Sequence, residues 1–376
     1  MRIVFVGGHH TPALAVVDAL ARRPQIVNRK SQIVWIGHRI SMWGDKNVSA
    51  EYQEVTKRGI PFYDLKAGKL YKTFHPLKLL RLPFGLLQAF YYLLRIRPDL
   101  IVSFGGYLTP PVVIAGWLLG IPAVTHEQTV EGGWANKLVA KIAKKVFVTW
   151  EESLKYFPKE KTIVTGNPLR RSIFEVNEQL AMNNEQLPTV YITGGKQGSH
   201  ILNETVREAL PQLLEKYNVI HQCGRSTVFD DYEILNSQLS TLDSDLRSRY
   251  ILKDYFTEEE IGAVFAAADV VISRAGANIV YELAALGKPS ILIPIPWVSH
   301  DEQHKNAQIL VDAGSAIILE EKDLTPNSLV VYTAKLFSDL EKFKEGGKKA
   351  QKLVRLDAAE RMAEAIAAKF AACTFV

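Results

Sequence analysis

Residues 2–12 read Arg2-Ile-Val-Phe-Val-Gly7-Gly8-His9-His10-Thr11-Pro12: a short apolar run leads straight into a glycine pair and a helix start. The arrangement returns half the chain further on, in Thr189-Val-Tyr-Ile-Thr193-Gly194-Gly195-Lys196-Gln197-Gly198-Ser199. A third pair, Gly105-Gly106, follows Leu100-Ile-Val-Ser-Phe104. Glycine permits the tight turn and lets a ligand approach the backbone at the carboxyl edge of a parallel sheet, where doubly wound folds bind. Two strand–turn–helix openings so far apart predict two α/β halves of similar size.

Working outward, short β-branched runs alternate with helical stretches from end to end, the pattern of parallel sheets covered by helices on both faces. Beyond the three runs above, strands are expected at Gln32–Ile36, Ala123–Thr125, Lys145–Thr149, Thr162–Thr165, Val219–Gln222, Val270–Ser273, Ser290–Ile293 and Ala316–Leu319. The turn cluster Gly166-Asn-Pro-Leu-Arg170 reads as the linker, and 175–188 as a polar lead into the second half. The expected domains are therefore residues 1–167 and 168–348. The amphipathic segment 349–376 is free to dock on either.

The 376 residues include 47% hydrophobic and 23% charged, which supports ordinary globular cores and excludes disorder. A net charge of +5 gives no call for nucleic acid. Cys223 and Cys373 are too few for a disulfide framework and fit a reducing compartment. The opening run reads directly as a strand, with no signal peptide expected before it.

From Leu65 to Pro98 there is no acidic residue, while Lys66, Lys69, Lys72, Lys78, Arg81, Arg95 and Arg97 punctuate leucines and aromatics. The apolar runs are too short to span a bilayer. Two readings stay open: a core helix with a basic edge, or an interfacial segment over about 69–87 that places leucines among acyl chains and cations against anionic head groups. Pro83 is expected to break the helix, leaving 86–94 as core and 77–84 as surface.

Set side by side, Gly7–Val16, Phe104–Tyr107, His126-Glu127-Gln128, Gly166–Arg170, Gly194–Ser199, Ser273–Ala277 with Glu282, and Gln303–Ala307 form seven blocks in order over almost the whole chain. Together they resemble the MurG-type N-acetylglucosaminyltransferases of glycosyltransferase family 28. The resemblance implies a GT-B fold, two Rossmann-like domains facing across a cleft, with UDP-N-acetylglucosamine on the second and a lipid acceptor, lipid I, on the first. It implies transfer with inversion, no cofactor, no metal, and a peripheral enzyme at the cytoplasmic face of the membrane. Read unaided, the residues agree about the metal, since no Asp-x-Asp pair follows a strand to hold Mg²⁺.

The residues offer a candidate for each chemical need. For the base, His9 stands at the carboxyl edge of the first strand, with Thr11 as the expected helix cap and Pro12 at its first position, and imidazole suits proton transfer near neutral pH. Glu127 is the second candidate. For the leaving diphosphate, Gly194, Gly195, Lys196, Gln197 and Gly198 open a helix whose N-terminal amides favour phosphate. Lys196 stands where the family usually has Ser, and either reaches the phosphates or points to solvent. Arg170 matches the family's diphosphate-contacting arginine. For uridine, Glu282 offers a carboxylate to the ribose hydroxyls, Arg274, Gly276 and Ala277 form a turn of backbone amides, and the resemblance puts uracil at Tyr255 and Phe256 through backbone groups. Gln303 and Asn306 supply amides for the sugar.

On the acceptor side stand Gly7, Gly8, His10, Gly105, Gly106, Tyr107, His126 and Gln128. The family's first loop is usually Gly-Gly-Thr-Gly-Gly-His, whereas here Gly7-Gly8 runs straight to His9. A trimmed loop offers fewer amides to an acceptor diphosphate. That keeps two alternatives alive: a related GT-B transferase with another lipid acceptor, and a non-catalytic UDP-sugar-binding relative. An epimerase on the same fold would not need the basic leucine-rich stretch.

Overall fold

The computed structural model describes residues 1–23, 32–40, 48–67, 81–176, 186–226, 228–240, 242–298 and 301–372. Lys69, Lys72, Leu77, Lys78, Leu79 and Leu80 of the basic stretch, most of the polar lead 175–188 and His300 lie outside them. The chain divides into one unit of Met1–Arg170 with Arg355–Val376, and a second of Arg171–Val354.

In the first unit, β1 (Arg2–Val6), β2 (Gln32–Gly37), β3 (Phe62–Asp64), β4 (Leu100–Ser103), β5 (Ala123–Glu127), β6 (Lys145–Val148) and β7 (Thr162–Val164) form a sheet in the order β3-β2-β1-β4-β5-β6-β7. Every pairing is parallel. In the second, β8 (Thr189–Thr193), β9 (Asn218–Gln222), β10 (Tyr250–Lys253), β11 (Val270–Arg274), β12 (Ser290–Ile293) and β13 (Ala316–Ile318) run β10-β9-β8-β11-β12-β13, again all parallel. Both orders reverse beside the first strand, between β1 and β4 and between β8 and β11. Helices leave in opposite directions at such a point and open a crevice at the carboxyl ends of the strands. The glycine turns stand there.

Alternation along β1 shows why the strands are apolar throughout. Ile3 and Phe5 pack on one face with Leu14 and Leu20 of the helix His10–Ala21, and Val4 and Val6 on the other with Leu93, Val112 and Val113. A strand buried on both faces has no polar side to show. The two edge strands that the sequence reading missed, β3 and β10, carry partly exposed residues and are only three and four residues long.

The last segment divides. Leu340–Gln351 is a helix of the second unit, while Ala358–Ala372 returns to the first, where Met362, Ala363 and Ile366 join the cluster of Ile3, Phe5 and Leu14. Arg22 fixes it with an ion pair to Glu360 at 3.1 Å.

Pro83 does not break its helix. The helix Arg81–Ile96 contains Pro83 and runs unbroken past it, so the proline does not end it. Nor is 86–94 uniformly core: Ala89 and Leu93 are buried with Ile96, but Phe84, Leu87, Tyr91 and Leu94 are 54, 69, 57 and 50% exposed along one face. Among the described residues, no helix is long and apolar enough to cross a membrane.

Candidate active site

At the first switch point the ends of β1, β4 and β5 meet. His9 is the N-cap residue of the helix His10–Ala21, so the helix begins before Thr11 and neither Thr11 nor Pro12 holds the cap and first positions expected of them. Its Nδ1 lies 3.0 Å from the Phe104 carbonyl oxygen. A carbonyl only accepts, so Nδ1 carries the proton and the exposed ring presents the Nε2 lone pair. Gln128 reaches the same carbonyl through Nε2 at 3.4 Å. The two glycine loops touch backbone to backbone: a Cβ on Gly8, whose φ is +136°, would come within 2.7 Å of the Gly105 oxygen, and one on Gly106 within 3.3 Å of the Gly8 Cα. Only glycine fits there.

The expectations for His126, Glu127, His10 and the Gly7–Gly8 turn need correction. His126 and Glu127 do not follow β5 but are its last two residues, and both are buried. The His126 ring donates through Nε2 to Gly166 O at 3.0 Å, its Nδ1 has no partner, and burial holds its pKa down at about 4. It ties the linker to the sheet as a neutral group and offers nothing to an acceptor. Glu127 accepts from the Thr129 N–H at 3.0 Å and hydroxyl at 2.8 Å through one oxygen, and from the Gly133 N–H at 2.8 Å and Asn136 Nδ2 at 3.0 Å through the other. A carboxylate so saturated is the hub of its turn, not a free base. His10 turns away from the loops to pair with Glu54 at 3.2 Å. The Gly7 N–H donates to Ile36 O at 2.8 Å, so this amide is not open to a diphosphate, and the Gly8 N–H lies near the Glu51 carboxyl. Tyr107 remains at the rim, half-buried, its hydroxyl pushed up to about 12 by burial and by the nearby Glu51 and Asp64.

Sequence reasoning passed over Asn136 and Glu51. Asn136 supports the site from below, linking Thr125, the His126 carbonyl and Glu127 while standing against Gly105. Neither lies in a glycine motif, and only tertiary proximity marks them.

The second switch point has the same plan. Gly194–Ser199 passes from β8 to the helix His200–Leu214, and Gly276 caps the helix Ala277–Leu286 after β11. Neither N-terminus is capped by a side chain. Their leading N–H groups and dipoles make a ready anion site. A Cβ on Gly198 would come within 2.0 Å of the Cys223 carbonyl oxygen, so this loop too presses on a neighbouring turn. Gln222, also passed over, braces both sides of the site: Nε2 donates to Thr193 Oγ1 and Gly195 O at 3.1 and 3.2 Å, and Oε1 accepts the Phe256 N–H at 3.0 Å.

Here, too, roles shift. The Tyr255 N–H donates to Asp254 at 2.7 Å, so with Phe256 bound to Gln222 both N–H groups are already engaged and cannot serve uracil. Lys196 stands 5.6 Å and Arg225 4.6 Å from the centre of the Tyr255 ring, a pair of cations beside the glycine turn. The Arg274 side chain is buried, paired with Glu321 at 2.6 Å and bonded to Ser199 Oγ at 2.6 and 3.0 Å, so it braces the helix start and is not offered to phosphate. Glu282 is buried in its helix. Gln303 accepts from the Ile295 N–H at 3.1 Å, and buried Asn306 donates to Ala275 O at 3.3 Å, so these amides first position loops. Arg170 is the last residue of the first unit. His200, Glu204 and Asp231 bring ligand atoms within 4.8 Å of one another, but Asp231 is spent on His200 and Asn203.

Known proteins agree with this geometry. The glycosyltransferase family 28 N-terminal domain matches residues 6–148, and the C-terminal domain of that family matches 189–362. The chain belongs to glycosyltransferase family 28. A Bacillus cereus protein named as a UDP-N-acetylglucosamine–N-acetylmuramyl-(pentapeptide) pyrophosphoryl-undecaprenol N-acetylglucosamine transferase is 35% identical over 362 residues, covering 93% of this chain and 95% of the relative. A Clostridium botulinum transferase of the same name is 35% identical over 345 residues, covering 88% and 89%. The crystal structure of Acinetobacter baumannii MurG aligns with a TM-score of 0.66 at 27% identity, over 97% of this chain and 99% of that one. The Staphylococcus aureus MnaA–UDP structure aligns at 0.70 and 12% identity, over 98% of this chain and 97% of that one, a likeness of fold alone. This family 28 member is a glycosyltransferase of GT-B fold.

Proposed function

We propose that this family 28 enzyme transfers N-acetylglucosamine from its UDP donor to the muramoyl sugar of lipid I, with inversion. The observation that carries the reading is His9, exposed at the first switch point with Nδ1 committed to Phe104 and Nε2 free. In this reading the Nε2 lone pair takes the proton as the acceptor hydroxyl attacks the anomeric carbon, and the bond from that carbon to the β-phosphate oxygen breaks to release UDP. The uncapped helix N-termini at Ser199 and Gly276, with Lys196 and Arg170, meet the charge that develops on the diphosphate. Glu282 accepts the ribose hydroxyls. The names of the relatives support the donor and the polyprenyl-linked acceptor. Charge neutralisation by these groups needs no metal ion.

The same reading places the enzyme on an anionic membrane at the cytoplasmic face. Supporting it is the ridge of Phe84, Leu87, Tyr91 and Leu94; Trp117 and Leu118, 57 and 59% exposed, end the helix Thr109–Leu118 that packs against the same helix. Exposed Lys66, Arg95 and Arg97 complete a surface of the composition that interfacial segments use.

The test is UDP release from UDP-N-acetylglucosamine with and without a short-chain lipid I analogue. Acceptor-dependent release, unchanged by EDTA, is expected. UDP binding without release would move the acceptor to another lipid or leave a binding protein.

A further inference from the structure

A carboxylate lies beneath the first glycine turn. Glu51 sits in the first turn of the helix Ala50–Lys57, whose N-cap Ser49 accepts from the Tyr52 N–H at 3.1 Å and donates to His38 O at 2.8 Å, pinning the helix start to the end of β2. Its Oε1 accepts the indole N–H of buried Trp35 at 2.8 Å, Oε2 lies 3.4 Å from the His38 N–H, and the Gly8 N–H lies close enough to favour its charged form. The space it takes is denied to side chains on the first turn and on β2: a Cβ on Gly7 would stand 1.5 Å from Oε1, and one on Gly37 would stand 2.7 Å from it. One turn further along the same helix, Glu54 holds His10 at 3.2 Å. Two carboxylates of one helix thus grip the backbone and side chains on either side of His9. Because Gly8 abuts Gly105, a movement of the first turn is passed to the second, whose Tyr107 also lies in the field of Glu51.

We propose that Glu51 is a positioning residue for transfer, its carboxyl setting the Gly7–Gly8 turn and so the place of the His9 ring. The inference rests on the base role proposed for His9. The trimmed loop of this chain gains from the carboxyl the anchorage that its own length does not provide. Burial pushes Glu51 up to about 7 against the pull of the Trp35, His38 and Gly8 donors, with Asp64 on β3 adding repulsion. The ionised carboxylate can accept at both oxygens at once, whereas protonation turns one of them into a donor, so protonation near neutrality loosens the turn. Among the described residues, Asp64 and Tyr107 are the titratable groups that face it from other elements.

Glu51→Gln keeps the size of the side chain but sets an amide donor against N–H donors. With wild-type acceptor-dependent UDP release measured first, the variant is expected to lower kcat about 10- to 100-fold through a misplaced base, with UDP binding by calorimetry unchanged. In ¹H–¹⁵N spectra, the Trp35 indole and Gly8 amide resonances of the wild type are expected to follow the titration of Glu51, and to lose that dependence in Glu51→Gln. Wild-type kcat in the variant, UDP affinity falling in step with kcat, or a Gly8 resonance that ignores the substitution overturns the inference. Absence of transfer by the wild type instead overturns the proposed function, and the Gly8 resonance then decides alone whether Glu51 holds the turn. If Glu51→Gln does not fold, Glu51→Asp, which keeps the charge and shortens the reach, gives the decision by the same readouts.

Discussion

His9 and Glu127 were rivals in the sequence, and their surroundings separate them. His9 is exposed and bound once, so His9→Ala is expected to reduce turnover about 10²- to 10⁴-fold with little change in UDP affinity or melting temperature. Glu127 is enclosed by four donors. Glu127→Ala strands those donors in the interior and is expected to destabilise the first unit by about 2–4 kcal/mol. Thermal unfolding beside the transfer assay distinguishes the two, and a Glu127→Ala enzyme that melts like wild type but does not turn over would return the base role to the carboxylate. The residue types at the site were legible because histidine after a glycine pair and glutamate at a strand end are few and ordered. Their ionisation and partners were not, since His126 is neutral only because of the protein packed around it, and Glu51 is sixteen residues from Trp35 and far outside any motif.

At the scale of elements, the helix Arg81–Ile96 was half understood. Its basic, acid-free character is written in the sequence, but Pro83 reads there as a break, and only the structure shows the helix continuing past it to Ile96. The buried set Ala89, Leu93 and Ile96 and the exposed set Phe84, Leu87, Tyr91 and Leu94 then fall on opposite faces of a continuous helix. Phe84→Glu with Leu87→Glu is expected to cut flotation with anionic liposomes several-fold while leaving UDP binding and melting temperature unchanged, because both side chains stand in solvent already. Equal flotation of variant and wild type would remove the ridge from the membrane reading.

Across the whole molecule, each unit holds, among the described residues, one fully buried neutral histidine, His126 in the first and His221 in the second, held at about 4 and about 3 by burial. The unfolded chain takes up protons on both near 6.5 while the native units do not, so stability is lost as pH falls from 6.5 towards those values. By pH 5 the loss is about 2 kcal/mol for each histidine. Glu51 acts in the opposite sense, its raised value costing stability as pH rises from 4.5 through about 7. Urea unfolding at pH 7.5 and 5 measures the histidine effect, and His126→Gln or His221→Gln is expected to flatten the pH dependence of its own unit. An unchanged slope in both variants would discard the assignment. The sequence by itself determined the two parallel sheets, the glycine turns and the family, because strand alternation, turn chemistry and motif order are local and survive translation into one dimension. Only the tertiary structure decided that residues 358–372 complete the first core, that Glu127 braces rather than reacts, that the Arg274 side chain braces a helix start, and that Glu51 lies under Gly7. Those outcomes depend on which distant groups share a buried volume, and hydrogen bonding and desolvation act through that volume and not along the chain.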